Sequence, residues 1–400
     1  MALREQARVT DVARVGDEVR VTFDGSDGSE SLLFSHVVLA TGHDWPEDPD
    51  HDPGVFVSPW TGLMEAALPA TSVGILGTSL SGIDAAMAVA CQHGRFDEDA
   101  GGALTFHPDP DASDLRLTLM SRQGLLPEAD FWCPIPYRPL QHMSEAALDS
   151  EVAQGSDGLL DRLWARFVAE MAAADPAYTE AIGLAHLTPE GFAEAYFAPR
   201  LAADPFDWAK SNLAQVERNT AARRVVEWRY AILRMHEPME TMVAHLTETD
   251  RERFDALKRV FIDNYAAVPP QSIHRLLALH RAGVLDIFAL GEAYNLERKA
   301  GETEVQAESG ERRRFAIFID ARGQRSLGIA DLPFPSLRAA LGTEEGPVPM
   351  NDHFAIAGQQ GRLFLPAAPY LLSRLPFVQG ITASHDLGEA VAEAILAGEP

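Results

Sequence analysis

Residues 72–83 read SVGILGTSLSGI. Counted from Gly77, this stretch spells G-x-S-x-x-G through Gly77, Thr78, Ser79, Leu80, Ser81 and Gly82, a dinucleotide fingerprint with serine at its middle glycine. An apolar strand before the loop and a helical pattern after it give the spacing a physical sense. The first glycine permits a tight strand-to-helix turn, the last lets helix and strand pack closely, and the helix start offers free N–H groups to a pyrophosphate. Ser79 adds a hydroxyl that can donate to phosphate and a Cβ that can crowd it. The other reading is a tight turn that binds nothing.

Nucleotide selectivity in such a domain is set where its second strand ends. Here that strand is LRLTLM, residues 115–120, followed by Ser121 and Arg122. No acidic residue stands at the strand end, and a guanidinium there suits a 2′-phosphate. Arg122 is therefore the candidate NADP determinant, against the reading of an ordinary surface arginine. A further signal is PFVQGITASHDLGEAVAEAIL near the C-terminus. Its turn offers the N–H groups of Val378, Gln379 and Gly380 to the electron-rich edge of a flavin ring, although a simple capped helix explains it as well. The loop DFWCPIPYRP, residues 130–139, suits either a cover over a cofactor or a packed connection. His43, His385, His274 and His280 lack metal-ligand spacing, and Arg223, Arg224, Arg229 and Arg234 read as a salt-bridged helix face. No catalytic acid or base is assigned, and HExxH, CxxC and G-x-S-x-G are absent from the sequence.

The elements that must hold these residues follow from periodicity. Residues 6–41 alternate as an antiparallel meander leading into SHVVLATG, read as a buried parallel strand over Val37–Ala40. Residues 301–323 repeat that grammar and end in Ala321-x-Gly323, which predicts an internal structural repeat. Residues 94–114 read as a polar loop. Residues 140–259 carry helical periodicity with turn signals such as HLTPEG, and PQSIHRLLALHRAG is a further helix ended by Gly283. With 400 residues, 46% of them hydrophobic, the chain can bury two or three packed units. No apolar run is long enough to span a membrane, no secretory signal is read, and only Cys91 and Cys133 occur, so a reducing cytoplasmic location is expected. A single disulfide between the two cysteines stays open. The net charge of −26 argues against nucleic acid or an anionic membrane as partner.

The set LATG (39–42), GTSLSGID (77–84), SRQGLLP (121–127), FIDARGQ and LPFVQGITASHDLG resembles the two-dinucleotide-domain flavoproteins. That class includes flavin-containing monooxygenases and pyridine-nucleotide reductases, and the nearest resemblance is to bacterial FAD/NAD(P)-binding oxidoreductases. The resemblance implies an α/β fold: a Rossmann-like dinucleotide-binding domain with a helical insertion, plus an incomplete flavin-type dinucleotide domain formed by both termini. The implied division is 1–43 for the tail of the flavin domain and 44–139 with 260–334 for the NAD(P) domain. The insertion takes 140–259, and 335–400 returns to the flavin domain. It further implies NADP on the glycine loop and FAD near Thr41, Gly42, His43, Gln379, Gly380, Ile381 and Thr382. The implied activity is hydride transfer from NADPH to flavin, with monooxygenation of a small molecule within its range. In that family a first G-x-G-x-x-G precedes the A-T-G strand, and residues 1–43 contain none. FAD binding by this chain alone is accordingly expected to be weak. The alternative is a non-catalytic nucleotide-binding protein, or a split-protein half whose partner chain supplies the FAD loop. A homo-oligomer is equally open.

Overall fold

A computed structural model describes residues 3–25, 28–45, 52, 54–299, 301–342, 346–378 and 380–398. The first three strands, β1 (Arg8–Val15), β2 (Glu18–Gly25) and β3 (Gly28–Phe34), form the expected antiparallel meander. Val12, Val19 and Phe23 point to its covered side and are buried. The chain continues into β4 (Val37–Val38), which pairs in parallel with residues 363–364. The expected buried strand over Val37–Ala40 is corrected here: only two residues pair, and Val38 is 44% exposed. Among the described residues the strand has one neighbour, in a two-stranded sheet, while Leu39 just beyond it is buried in the core.

The following region holds β5 (Val55–Phe56), β6 (Ser72–Leu76) and α1 (Leu80–Ala90), then β7 (Gly94–Glu98), β8 (Leu104–Pro108) and β9 (Arg116–Ser121). Strands β7 and β8 form an antiparallel hairpin where a polar loop was expected. Phe96 and Phe106 face each other across it with ring centroids 5.0 Å apart, and Phe106 is 2% exposed. A buried Phe106 and a half-buried Phe96 on one face outweigh the Asp and Gly content that suggested a loop.

Helices α2 (Glu145–Val152), α3 (Leu159–Ala174), α4 (Pro176–Ile182), α5 (Pro189–Leu201), α6 (Pro205–Ala221), α7 (Glu227–Val243) and α8 (Glu248–Tyr265) then succeed one another. Their starts are written in the sequence. Asp175, Thr188, Asp204 and Thr247 each accept a backbone N–H as N-caps, three of them directly before a proline. Helix α9 (Pro270–Arg281) leads back into β10 (Leu285–Ala289). After it, β11 (Asn295–Lys299), β12 (Glu302–Gln306) and β13 (Arg312–Phe315) form a second meander that feeds β14 (Ile317–Asp320). The two meanders share one connection: three antiparallel strands in sequential order, then a parallel strand. The chain ends with α10 (Pro335–Leu341), β15 (Leu363–Phe364), α11 (Ala368–Leu371) and α12 (Gly380–Ala397).

Two compact units result, one of residues 1–44 with 324–400 and one of residues 45–323. Each contains one meander and its parallel strand. In the first, Val12, Val19, Leu39, Phe334 and Leu363 share a core, and α12 packs Leu387, Val391 and Ala394 against Phe364 and Leu371. The second is organised on a five-stranded sheet, ordered β10-β9-β6-β14-β5, in which every pair is parallel. Val73, Ile75, Leu117, Leu119 and Ile319 are at most 1% exposed, as expected for strands covered on both faces. Strand order reverses at β6, the position where sheets of this kind open a crevice beyond their carboxyl ends.

Candidate functional site

At that reversal the chain leaves β6 through Gly77. Gly77 has φ +139°, and a Cβ there would lie 2.6 Å from the Ala321 carbonyl oxygen. A Cβ on Gly82 would lie 2.3 Å from the Gly77 oxygen, so the first turn of α1 touches the end of β6. Both glycines of the fingerprint are thus required by close approach rather than by turn preference alone. Ser79 is the N-cap residue, and its hydroxyl makes no capping bond. The hydroxyl and the first helical N–H groups stay available to a ligand.

Neighbouring strand ends are fixed to the turn. Gly77 donates to the Met120 carbonyl at 2.7 Å, and Ala321 donates to that of Leu76 at 2.8 Å. Thr78 and Ser79 consequently share a cleft of about 250 Å³ with Ser121, Arg122 and the Gln123–Pro127 segment. Ser121 accepts the Gly124 N–H on its hydroxyl at 3.1 Å, curling the chain back over the strand end. Arg122 is exposed and donates to Glu292 at 3.0 Å. An acid absent from the end of β9 is thus supplied by the loop after β10.

The other wall of the cleft comes from α5 and α8, through Phe197, Arg200, Arg259 and Asp263. Arg200 is buried and donates to Asp263 at 2.6 Å and to the Leu126 carbonyl at 2.6 Å. Tyr196 donates to the same carboxylate at 2.7 Å, and burial holds its hydroxyl well above its ordinary pKa, in the neutral donor form. Both bonds fall on the same oxygen of Asp263, Oδ2, and tie α5 to α8. Arg259 differs: it lies over the Phe197 ring at 5.4 Å and has no carboxylate partner among the described residues. The sequence reading missed Arg200 and Arg259. The Tyr196–Arg200 spacing of four residues on one helical face was a signal for the first, and nothing local marked the second.

The glycine-loop residues Gly77 to Gly82, with Ser121 and Arg122, are brought together at the sheet's carboxyl end. In the other unit, Thr41, Gly42 and His43 are exposed beyond β4, and Gly380, Ile381 and Thr382 are exposed at the start of α12. Gln379 lies outside the described residues. The DFWCPIPYRP loop packs on α7: Phe131 lies under the Arg229 guanidinium at 4.3 Å, and Arg138 donates its N–H to the Tyr230 hydroxyl at 2.8 Å. The supposed arginine face divides, Arg229 pairing with Glu128 and Arg234 with Glu237, while Arg223 and Arg224 have no carboxylate partner among the described residues. His274 pairs with Glu217, and His280 stacks on Phe206 with centroids 3.6 Å apart. Both cysteines are free, which closes the disulfide option.

A parallel sheet reversing at a glycine turn defines a mixed α/β chain of the Rossmann-like kind, carrying a helical insertion between its second and third crossover strands. No helix among the described residues is long and apolar enough to cross a membrane. Residues 144–265, helices α2 to α8, match the YdhS-like middle domain. The whole chain is 46% identical over 401 residues to the uncharacterized protein YdhS of Escherichia coli strain K12, covering 99% of this chain and 74% of that protein. The chain belongs to the YdhS family. Among solved structures it is similar to the Kutzneria sp. 744 ornithine N-hydroxylase in its FADred–NADP+–L-orn form, at 11% identity and TM-score 0.49 over 98% of this chain and 71% of that one. It is similar also to the reduced ornithine hydroxylase PvdA of Pseudomonas aeruginosa, at 14% identity and TM-score 0.43 over 97% and 71%. A third such structure is the bacillithiol disulfide reductase of Bacillus cereus, at 11% identity and TM-score 0.40 over 98% and 71%.

Proposed function

We propose that this chain is the nicotinamide-dinucleotide-binding part of an FAD/NAD(P)H-dependent oxidoreductase acting on a small molecule. The observation that carries the reading is the cleft shared by Thr78 and Ser79 of the glycine turn with Ser121, Arg122 and Arg259, the last without a carboxylate partner among the described residues. Gly77 and Gly82 let the backbone close around a pyrophosphate, and Ser79 offers its uncapped hydroxyl to the same group. Arg259 supplies the positive charge, and Arg122, on leaving Glu292, reads a 2′-phosphate. NADPH bound there supplies a hydride, for which a flavin is the acceptor this reading requires. The chain's own part is to bind and orient the dinucleotide and to keep water from its reactive face.

The test is titration with NADPH and NADH of wild type, Arg122→Ala and Arg259→Gln, together with the visible spectrum of the chain after gel filtration with FAD. The reading expects NADPH to bind more tightly than NADH, with the preference lost in Arg122→Ala and both affinities lowered in Arg259→Gln. Equal affinity of wild type for the two nucleotides refutes Arg122 as the 2′-phosphate reader. A second reading is a non-catalytic nucleotide-binding chain, or one that takes FAD only with a partner chain. It is favoured by Ser79, which stands where the fingerprint has its middle glycine and whose Cβ crowds the approach of a phosphate. NADPH binding without retained flavin absorbance selects it.

A further inference from the structure

Helices α4 to α7 enclose a second cavity of about 810 Å³, separate from the glycine turn and meeting the nucleotide cleft only at Arg200 and its surroundings. We propose that this cavity is a binding site for a planar aromatic acid. Its wall is aromatic. Tyr178 and Trp228 stack with centroids 4.4 Å apart at an interplanar angle of 7°, and Trp228 meets Tyr196 edge-on at 5.9 Å. Burial pushes the Tyr178 hydroxyl well above its ordinary pKa, so this wall carries no negative charge to repel an acid. Flat, rigid rings preset in one plane favour a flat guest.

Arginines outnumber acids in the cavity lining: Arg200, Arg218 and Arg229 stand with one carboxylate, Glu128. Arg229 is 3% exposed, and its Nη1 pairs with Glu128 at 3.0 Å. Its Nε and Nη2 are buried without an acceptor. The Glu128 oxygens accept from Arg229 Nη1 and from the Trp208 indole N–H, the latter at 3.0 Å, and neither accepts from Nε or Nη2. Buried donors left in this state are rare in folded proteins and are satisfied when a ligand brings oxygen acceptors. At the rim stands Arg218, in the last turn of α6, and an adjoining groove places Arg224 beside the same Trp228. Both side chains are exposed, and neither has an acidic partner among the described residues. In a chain of net charge −26, two guanidiniums without an acidic partner among the described residues give an anionic guest a local attraction beside the aromatic wall. The ring of the guest rests on the Tyr178–Trp228 wall, and its carboxylate takes the donors of Arg218 and Arg229. The site does not depend on the nucleotide reading.

The test uses 2-naphthoate and its neutral counterpart 2-naphthalenemethanol, followed by calorimetry and tryptophan emission on the full chain. Saturable one-to-one binding of the acid is expected, at least about tenfold tighter than that of the alcohol, which corresponds to about 1.4 kcal/mol. Arg218→Gln combined with Arg224→Gln removes that preference and leaves the alcohol unchanged. Trp228→Leu weakens both ligands. Arg122→Ala, in the other cleft, leaves both untouched and separates this proposal from NADPH binding. The proposal is overturned if acid and alcohol bind alike, or if the double arginine variant binds 2-naphthoate as wild type does. It is equally overturned if 2-naphthoate, indole-3-acetate and 4-hydroxybenzoate all fail to saturate the chain. The arginine variants are exposed, so the outcome does not rest on whether Trp228→Leu folds.

Discussion

The Glu128–Arg229 pair offers a sharp test of what holds the helical insertion to the sheet unit. Glu128 lies shortly after the end of β9, Arg229 lies on α7, and they are 6% and 3% exposed. Replacing Glu128 by Gln keeps an oxygen for the Trp208 indole but leaves the guanidinium buried with only the Phe131 ring face at 4.3 Å. Removing one member of a buried pair costs about 3–5 kcal/mol, since the remaining charge is neither solvated nor neutralised. Arg229→Met strands the carboxylate instead and carries a similar cost. The double variant strands nothing, and neutral replacements of buried pairs are often close to neutral in stability. Its loss should therefore fall several kcal/mol short of the sum of the single losses. Urea unfolding of the four proteins, followed by tryptophan emission and circular dichroism, gives the coupling directly. Single losses below about 1 kcal/mol, or additivity within about 0.5 kcal/mol, would refute the reasoning.

Gly82→Ala places a methyl group 2.3 Å from the Gly77 oxygen, so α1 must move off the sheet. An overpacking loss of about 1–3 kcal/mol is expected in the same urea assay, together with weakened NADPH binding. Burial, the leading cause, lowers the pKa of His236, so the unfolded chain takes up a proton that the folded chain resists. Its contribution to stability is complete above the ordinary histidine pKa of about 6.5 and is lost as pH falls toward the lower folded value. His236→Gln should flatten that part of the stability–pH curve, and an unchanged curve would count against the assignment. Burial, with Asp130 beside it, raises the Cys133 thiol pKa, while Cys91 is exposed. An aromatic disulfide reagent at neutral pH should therefore label Cys91 first, as mapped by peptide mass analysis. Equal rates would contradict it.

Much of this architecture was legible in the sequence because it rests on local grammar. The strand–glycine–helix run of residues 72–90 and the capped helices after Asp175, Thr188, Asp204 and Thr247 depend on near neighbours in the chain. The β7–β8 hairpin was misread because its stability comes from burial of Phe106, a tertiary fact hidden among acidic and glycine residues. The strand expected over Val37–Ala40 is parallel as read but pairs over two residues only, since among the described residues the apolar run has no second neighbour. The second meander was read from residue 301 onward, and its first strand was missed because NLERK carries a single apolar residue. Within the site, the glycine loop and the Ser121–Arg122 strand end were readable. Arg259 was not, because its role depends on α8 reaching across to β9.

Where the insertion leaves and rejoins the sheet unit, the two chain crossings are tied together. Ala129 bridges Val268, with Val268 donating to the Glu128 carbonyl at 2.9 Å and Asp130 donating to that of Val268 at 2.7 Å. The segment that matches the YdhS-like middle domain lies entirely inside this clasp. A module whose two ends are joined at its root adds little closure entropy to the fold that hosts it, however long it becomes. Lineages can therefore lengthen, shorten or exchange these helices while the register of β6, β9 and β10 stays fixed. The glycine turn and the inserted helices are in that sense free to diverge at different rates, and the clasp is where a chimera should be cut.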